Sequence, residues 1–424
     1  MTEKNGKAPS RRCFLGTAGL AGAAVATLPV TAAQAAVSIP TSPELFDTVL
    51  PFYGARQQGV TTPMQASIYF AAFDLNTEKR EDVVALLKRW TDAAARICAG
   101  LPAEPGVQSP DEPGLDSYDT LGLKPAGLTI TFGFGPDLFM LNGKDRYGVA
   151  SMRPAALVDL PAFNGDQLVE GQCGGALCIQ ACSNNEQVSF HAVREMARLG
   201  YGVAGVKWSQ SGFSPANISP GTSRNLMGFK DGTLNPTGHV MDQVVWAGNE
   251  GAPWMRDGSY VVTRRIRIAL EHWERMKIAF QEQTFGRQKQ SGAPLGGKQE
   301  FDPPNYKAVD ADGNYIIPEN CHIRLAAPEQ NGGSQILRRS YAYHNGASFT
   351  AERWPPWRQA IEFDAGLFFL AYQRDPREGF IKIFDKMSKF DMLNQFTTHV
   401  GSAVFACPPG AKKGGYIGEG LFSA

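Results

Sequence analysis

The chain has 424 residues, with 41 basic and 41 acidic side chains, so its formal net charge is zero. This balance provides no sequence-wide attraction to nucleic acid, and we predict no nucleic-acid partner. Hydrophobic residues make up 43% of the chain and cysteines number only seven, which excludes wholesale disorder and a disulfide scaffold and leaves a globular protein of two or three domains, or of two halves that share one core.

The first 35 residues have the layout of an export signal. Arg11 and Arg12 precede a weakly apolar, Gly/Ala-rich run over residues 16–30, and a small-x-small cleavage site follows at 33–35. Paired arginines before such a run are typical of a twin-arginine signal, and the run is too short to span a bilayer comfortably. We therefore predict a signal peptide over residues 1–35 and a folded protein delivered to the periplasm or another extracytoplasmic compartment.

Three of the cysteines that would remain after cleavage lie close together, at Cys173, Cys178 and Cys182. The cluster could bind a metal, but it lies in an apolar segment that is typical of a half-buried strand. We therefore favour small core residues over metal or iron–sulfur ligands.

The first half of the mature chain predicts the order strand–helix–strand–strand–helix–strand. From the apolar periods, the elements are expected at 66–75 (strand), 77–99 (helix), 127–134 and 175–181 (strands), 187–199 (helix) and 203–210 (strand). Thr77 is the predicted N-cap of the first helix. This order is ferredoxin-like, and we predict an N-terminal domain over residues 37–215.

The second half, residues 216–424, predicts a second ferredoxin-like domain with longer insertions. Its elements are expected at 260–269 (strand), 270–280 (helix), 321–325, 336–343 and 366–372 (strands), 379–396 (helix) and 401–407 (strand). Short strands that alternate with amphipathic helices indicate an α+β protein in which two open antiparallel sheets pack into one body.

The residues that carry chemistry concentrate in this second half. The polar segment 225–236 lies outside any periodic element and contains a Gly-x-x-Asp-Gly motif that ends in Asp231-Gly232, a pair that by itself is most often a turn. His322 lies in a short apolar segment, where an isolated histidine is more often a core residue than a ligand. Arg338 and Arg339 are adjacent on a predicted strand and must point to opposite faces.

One of these two guanidinium groups should therefore point inward and need an anionic partner. An acid, an inward arginine and one histidine are the groups that a haem peroxidase needs. The histidine ligates iron, the carboxylate moves the peroxide proton, and the arginine stabilises the charge that develops as the O–O bond breaks.

At these residues the chain resembles the dye-decolorizing peroxidase family, and within it the exported deferrochelatase/peroxidase group of bacterial iron-uptake operons. The similarity covers nearly the whole mature chain, in motifs at 225–236, 244–246, 285–296, 322–326 and 337–343. The resemblance implies a dimeric α+β barrel fold made of two ferredoxin-like halves. It also implies one haem b per subunit, held in the second half, and a homo-oligomer.

Carried over residue by residue, the resemblance makes His322 the proximal iron ligand, Asp231 the distal acid–base residue and Arg338 the distal arginine. Arg287 is expected to meet a haem propionate. Further haem contacts are expected from Gly232, Thr233, Leu234, Ala327, Pro328 and Glu329. Asp385, on the last long helix, is a candidate acceptor for the second ring nitrogen of His322, although a surface carboxylate is the more frequent case.

The function implied by the resemblance is a peroxidase that uses hydrogen peroxide to oxidise dyes, phenols or porphyrin-type donors. Release of iron from haem with the porphyrin left intact is also implied, which would make haem and other components of an iron-uptake system partners. Two alternatives remain. A haem carrier needs the pocket and His322 but not Asp231 or Arg338, and a chlorite-dismutase-like enzyme shares the fold but lacks the Gly-x-x-Asp-Gly motif.

Overall fold

A single continuous antiparallel sheet closes on itself to form the barrel at the centre of the protein. The computed structural model describes residues 47–215, 221–351 and 359–423. The predicted signal peptide at 1–35 and the first residues of the predicted C-terminal domain, 216–220, lie outside these ranges. Within them the strands are β1 (Ser67–Leu75), β2 (Thr129–Phe134), β3 (Leu177–Ser183), β4 (Ala204–Phe213), β5 (Ser259–Ile268), β6 (Leu337–Arg338), β7 (Tyr341–Ala351), β8 (Gln359–Gln373) and β9 (Thr397–Cys407).

Helices cover the outside of this barrel. Their bounds are α1 (Arg80–Cys98), α2 (Pro136–Phe139), α3 (Glu186–Leu199), α4 (Gly238–Val245), α5 (Leu270–Trp273), α6 (Ile278–Phe285), α7 (His322–Leu325), α8 (Lys382–Phe390) and α9 (Glu419–Phe422). No helix within the described ranges is long and apolar enough to cross a membrane.

The barrel consists of two four-stranded units with the same strand order. The first is β4-β1-β3-β2 and the second is β7-β8-β5-β9, with β6 in line with β7 along the same edge of β8. The units meet through one residue pair on each side, Phe134 with Ala406 and Phe213 with Ala342. The predicted α+β class with two ferredoxin-like halves is confirmed, but the two sheets are joined edge to edge instead of remaining separately open.

Helix α1 packs its apolar face against the sheet of the first unit. Three of the apolar positions that give its helical period, Val83, Leu87 and Trp90, are each at most 1% exposed and belong to the core between the helices and the sheet. The helix begins at Arg80, so the N-cap prediction for Thr77 was wrong. The Thr77 hydroxyl instead accepts from the Lys79 N–H and donates to the Asp82 carboxylate at 2.6 Å, which stabilises the turn before the helix.

In the second half, several predicted elements are shorter or of another type. The predicted helix at 270–280 is divided into α5 and α6, and the one at 379–396 is a π-helical turn (Arg377–Ile381) that continues into α8. The predicted strand at 321–325 was wrong, because this segment is the one-turn helix α7, outside the sheet. No strand among the described residues pairs with this segment, and its backbone bonds within itself instead, from Leu325 N to Cys321 O at 3.1 Å.

The barrel interior is a second, separate core. Cys178 and Cys182 are fully buried in it as free thiols, in agreement with the core prediction, whereas Cys173 is only half-buried. Gly133 on β2 lies between β3 and β9, and a Cβ atom there would be 2.7 Å from Cys178 Sγ and 2.8 Å from Phe405 Cβ. The absence of a side chain at Gly133 therefore allows its neighbours to close over it.

We expect Gly133→Ala to lower the free energy of unfolding by about 1–3 kcal/mol, because an added methyl group overpacks the barrel where its two halves meet. Denaturant unfolding measures the change. Gly171→Ala is the matched control, since a Cβ there meets nothing within 4 Å. Equal stability of the two variants would contradict this account of the packing.

Candidate active site

An apolar cavity with a few polar side chains lies outside the barrel, against β5 and β8 on one side and against α7 and α8 on the other. Ile266, Leu367 and Phe369 line it from the strands, and Ile383 and Phe384 line it from α8. Nine of the ten predicted site residues line this cavity: Asp231, Gly232, Thr233, Leu234, Arg287, His322, Ala327, Pro328 and Arg338. The tenth, Glu329, was predicted to border the same pocket. Its side chain is exposed and it is not part of the cavity wall, so its predicted position was wrong.

Asp231 and Arg338 form an ion pair at the cavity wall although they are 107 residues apart. Arg338 Nη1 donates to Asp231 Oδ1 at 2.8 Å, and the two side chains are 27% and 19% exposed. The Asn235 side chain joins their segments, since its Nδ2 donates to the Arg338 carbonyl at 2.7 Å and its Oδ1 accepts from the Arg338 N–H at 3.1 Å. Gly232 has a φ of +101°, which lets the chain turn directly after Asp231.

The neighbouring Arg339 points the opposite way, into the barrel, as the strand pattern predicted. It is the more deeply buried of the two arginines, and it donates to the Thr62 carbonyl and to the Gln65 side-chain oxygen. The prediction of an anionic partner was wrong for the inward arginine, because Arg339 is held by neutral oxygens and the carboxylate pairs instead with Arg338, on the cavity side.

His322 begins α7 and has one ring nitrogen held by a carboxylate. Its Nδ1 is 2.7 Å from Asp391 Oδ2, and the Asp391 side chain is only 3% exposed and also accepts from the Leu393 N–H at 2.9 Å. A carboxylate is an acceptor, so Nδ1 carries the proton and Nε2 keeps its lone pair free for a metal ion.

The prediction of Asp385 as this second partner was wrong. Asp385 lies on the exposed face of α8 and pairs with Lys389 at 2.8 Å, one helical turn further on. Asp391 follows the end of α8, where the chain turns back beneath His322. Its position as the cap of the next helical turn is a local sequence signal, but it does not show which histidine lies above it.

Arg287 is buried in the cavity wall with part of its guanidinium group unused. It is 3% exposed, and its Nη1 donates to the carbonyls of Gly292 and Glu300 at 2.6 and 2.9 Å. Its Nη2 is buried and has no hydrogen-bond partner among the described residues. Burial lowers the pKa of Arg287. The residue thus offers an unpaired donor to an anionic group, which suits a carboxylate.

Sequence reasoning missed the carboxylate that supports the Asp231 segment from below. Glu300 Oε1 accepts from the Thr222 hydroxyl at 2.6 Å and from the Thr233 hydroxyl at 3.0 Å, and Lys230 Nζ is 3.3 Å from Oε2. Burial alone would raise the pKa of Glu300, but these hydrogen bonds outweigh it and lower the pKa. Glu300 therefore remains charged and holds Thr233 in place beside Asp231.

Comparison with known proteins identifies the family. Two family models match, the N-terminal Dyp-type peroxidase model over residues 57–214 and the C-terminal Dyp-type peroxidase model over residues 222–412. Together they cover most of the chain.

Individual relatives are similar over nearly their whole length. A dye-decolorizing peroxidase from Thermobifida fusca is 35% identical, over 99% of this chain and 98% of that protein, and a deferrochelatase from Escherichia coli is 34% identical, over 97% of each. Among solved structures, a DyP-type peroxidase from Streptomyces coelicolor is 37% identical with a TM-score of 0.81, over 90% of this chain and 99% of that one. An oxyferrous/water complex of DtpA from Streptomyces lividans is 38% identical with a TM-score of 0.80, over 89% and 99%. The predicted resemblance is confirmed, and the chain belongs to the Dyp-type peroxidase family.

Proposed function

We propose that this protein is a haem b-dependent peroxidase that uses hydrogen peroxide to oxidise organic donors. The observation that carries the proposal is one apolar cavity with the Asp231–Arg338 pair in its wall and with His322, held by Asp391, in the same wall. Family membership supports the same activity.

The residues of the cavity fit a haem group. Its apolar side chains suit a flat macrocycle, the free Nε2 of His322 suits the iron, and the unpaired Nη2 of Arg287 suits a propionate. When bound, haem supplies the redox-active iron at which peroxide is reduced.

Asp231 and Arg338 then have different roles: Asp231 transfers the proton and Arg338 stabilises the developing negative charge. Asp231 accepts a proton from the incoming peroxide and returns it to the outer oxygen, which leaves as water. Arg338 keeps its charge throughout and stabilises the negative charge that develops on the departing oxygen. The hydrogen bond from Arg338 also orients the Asp231 carboxylate toward the cavity.

Protein expressed with adequate haem should show a Soret band that depends on His322. His322→Ala should lower haem occupancy or change the spectrum, and Asp391→Asn should weaken haem retention about 10- to 100-fold by removing the charged acceptor. Asp385→Asn, an exposed carboxylate on the same stretch of chain, is the control and should resemble the wild type. An unaltered spectrum with full occupancy in both His322→Ala and Asp391→Asn would contradict the ligand assignment.

Mixing with peroxide in a stopped-flow spectrometer tests the distal pair. Arg338→Leu should slow the reaction with peroxide by roughly 100-fold or more, the scale of losing a preorganised charge stabiliser. Asp231→Asn should also slow it, and the acid limb of the pH profile should shift or disappear because an amide cannot take up the proton. Arg256→Leu, at an exposed position, serves as control. Wild-type rates in both variants would remove this pair from the mechanism, whereas a wild-type protein that does not turn over peroxide would favour a haem carrier.

We also propose that the protein can release iron from haem with the porphyrin left intact. The support is its 34% identity to the Escherichia coli deferrochelatase over 97% of both chains. Incubation of the protein with haem, followed by porphyrin fluorescence, measures this activity. The absence of metal-free porphyrin under conditions that sustain peroxidase turnover would restrict the function to the peroxidase reaction.

We further propose export in the folded state through the twin-arginine route, assembly as a homo-oligomer and participation in an iron-uptake system. The paired arginines before the apolar run support the export route, and the family resemblance supports the assembly and the partners. Light scattering on the purified protein tests the oligomeric state.

Replacing both Arg11 and Arg12 by lysine should leave the precursor in the cytoplasm, because the weakly apolar signal is a poor substrate for the alternative pathway. Cell fractionation followed by immunoblotting measures the processed and unprocessed forms. Unchanged delivery of the double variant would refute the twin-arginine assignment.

A further inference from the structure

A second cavity lies behind the wall of the active-site cavity. It has a volume of about 460 Å³ and is bordered by residues 247–255, by the end of β8 and by the π-helical turn Arg377–Ile381. Ser334 and Gln335 line both cavities. No step of the peroxide reaction described above uses this second cavity.

The π-helical turn lies at the wall between the two cavities. Along the π-helical turn, Gly379 lines the second cavity and Phe380 lines the active-site cavity. Gly379 has to lack a side chain, since a Cβ there would be 2.6 Å from Gln373 Oε1. The same Gln373 oxygen accepts from the Phe380 N–H at 2.8 Å and holds the turn against β8. π-Helical turns are frequent at functional sites.

The loop that completes this wall is tied to the helix of His322. The Asn331 side chain is buried, and its Nδ2 donates to the carbonyls of Leu325 and Ala327, both at 2.8 Å. The loop carrying Ser334 and Gln335 is thereby held at a constant position relative to the active-site histidine. This loop and the π-helical turn therefore lie between a molecule in the second cavity and the active-site cavity.

The lining of the second cavity indicates an uncharged ligand. Its floor is apolar and buried, formed by Ala247, Met255 and Tyr260. The six charged side chains around it are paired among themselves: Arg374 with Glu250 at 2.5 Å, Arg377 with Asp375 at 2.6 Å and Lys382 with Glu378 at 3.5 Å. These pairs leave no net charge at the rim to select an anion or a cation.

Polar groups for orienting such a ligand are present at the shared wall. The Ser334 hydroxyl and the Gln335 amide can each accept from or donate to a hydroxyl group. A mainly apolar cavity of several hundred Å³ with a few such polar groups is the usual form of a small-molecule site, and it is far larger than hydrogen peroxide requires.

We propose that the second cavity binds the organic electron donor, a neutral phenol, and that the donor passes its electron across the wall at Gly379–Phe380. This proposal rests on the proposed peroxidase function. Each phenol loses one electron and its hydroxyl proton, so two phenols and one hydrogen peroxide give two phenoxyl radicals and two waters. The two hydroxyl protons leave to solvent at the exposed rim and balance the two protons that water formation takes up.

Gly251→Trp tests the proposal in the haem-loaded protein. Gly251 lines the second cavity, and a Cβ there meets nothing within 4 Å, so a large side chain can fill the space without backbone strain. Gly171→Trp is the matched control, because it makes the same change in equally open space and lines neither cavity. The Soret band of both variants confirms folding and haem loading.

Binding of 2,6-dimethoxyphenol to the resting protein, without peroxide, is measured by saturation-transfer NMR. We expect binding to the wild type and to Gly171→Trp and its loss in Gly251→Trp. In turnover, Gly251→Trp should lower kcat/KM for this phenol about tenfold. Its rate with peroxide alone, and its rate with hexacyanoferrate(II), which needs no apolar cavity, should stay unchanged.

Phenol binding and kcat/KM that are unchanged in Gly251→Trp would overturn the proposal and would place the donor in the active-site cavity or elsewhere. Equal losses in Gly251→Trp and Gly171→Trp would also overturn it, because the effect would then not depend on the cavity. A wild-type protein that fails to react with peroxide would refute the proposed function instead, while the binding measurement would still report on the second cavity.

Discussion

Strand β8 is hydrogen-bonded along both edges, and the active site depends on this constraint. One edge pairs with β5 and the other with β6 and β7, so Ala371 has Val262 on one side and Arg338 on the other. The register places the outward side chains of β5 and β8 in the cavity wall and sets Arg338 at its border. Because a shift by one residue would turn every side chain of a strand to the other face, Arg338 and Arg339 would then exchange places.

Two buried arginines of this protein differ in whether their guanidinium groups are fully hydrogen-bonded. Arg264 is fully buried and hydrogen-bonded to Asp166, to Ser402 at 2.8 Å and to His399 Nδ1 at 3.0 Å. Burial, and then the charge of Arg264, lowers the pKa of His399 well below its usual range, so His399 lines the cavity as a neutral ring. Arg287 instead keeps one nitrogen unpaired, and an unsatisfied buried donor costs about 1–3 kcal/mol. A bound carboxylate would offset that cost, which fits a haem propionate as the partner of Arg287.

Long-range polar contacts, not helix or strand propensity, assemble the rest of the site. Asn235 pairs with the backbone of Arg338, and Asp391 meets His322 across 69 residues. Each contact joins a loop to an element of the second half, so the site forms only when these distant segments are packed together. The positions of the site residues therefore depend on the tertiary packing of the protein.

Local sequence patterns determined much of this protein. The helical period of α1 identified the residues that became buried, the alternation at Arg338 and Arg339 separated their two faces, and the motifs around Asp231 and His322 indicated the family and the cavity residues. These features depend on residues that lie close together along the chain. Only the tertiary structure decided that Asp391 and not Asp385 holds His322, that residues 321–325 form a helical turn, that Glu329 faces solvent and that a second cavity adjoins the first. Those outcomes depend on which segments the closed barrel brings together, and spacing along the chain carries no information about such contacts.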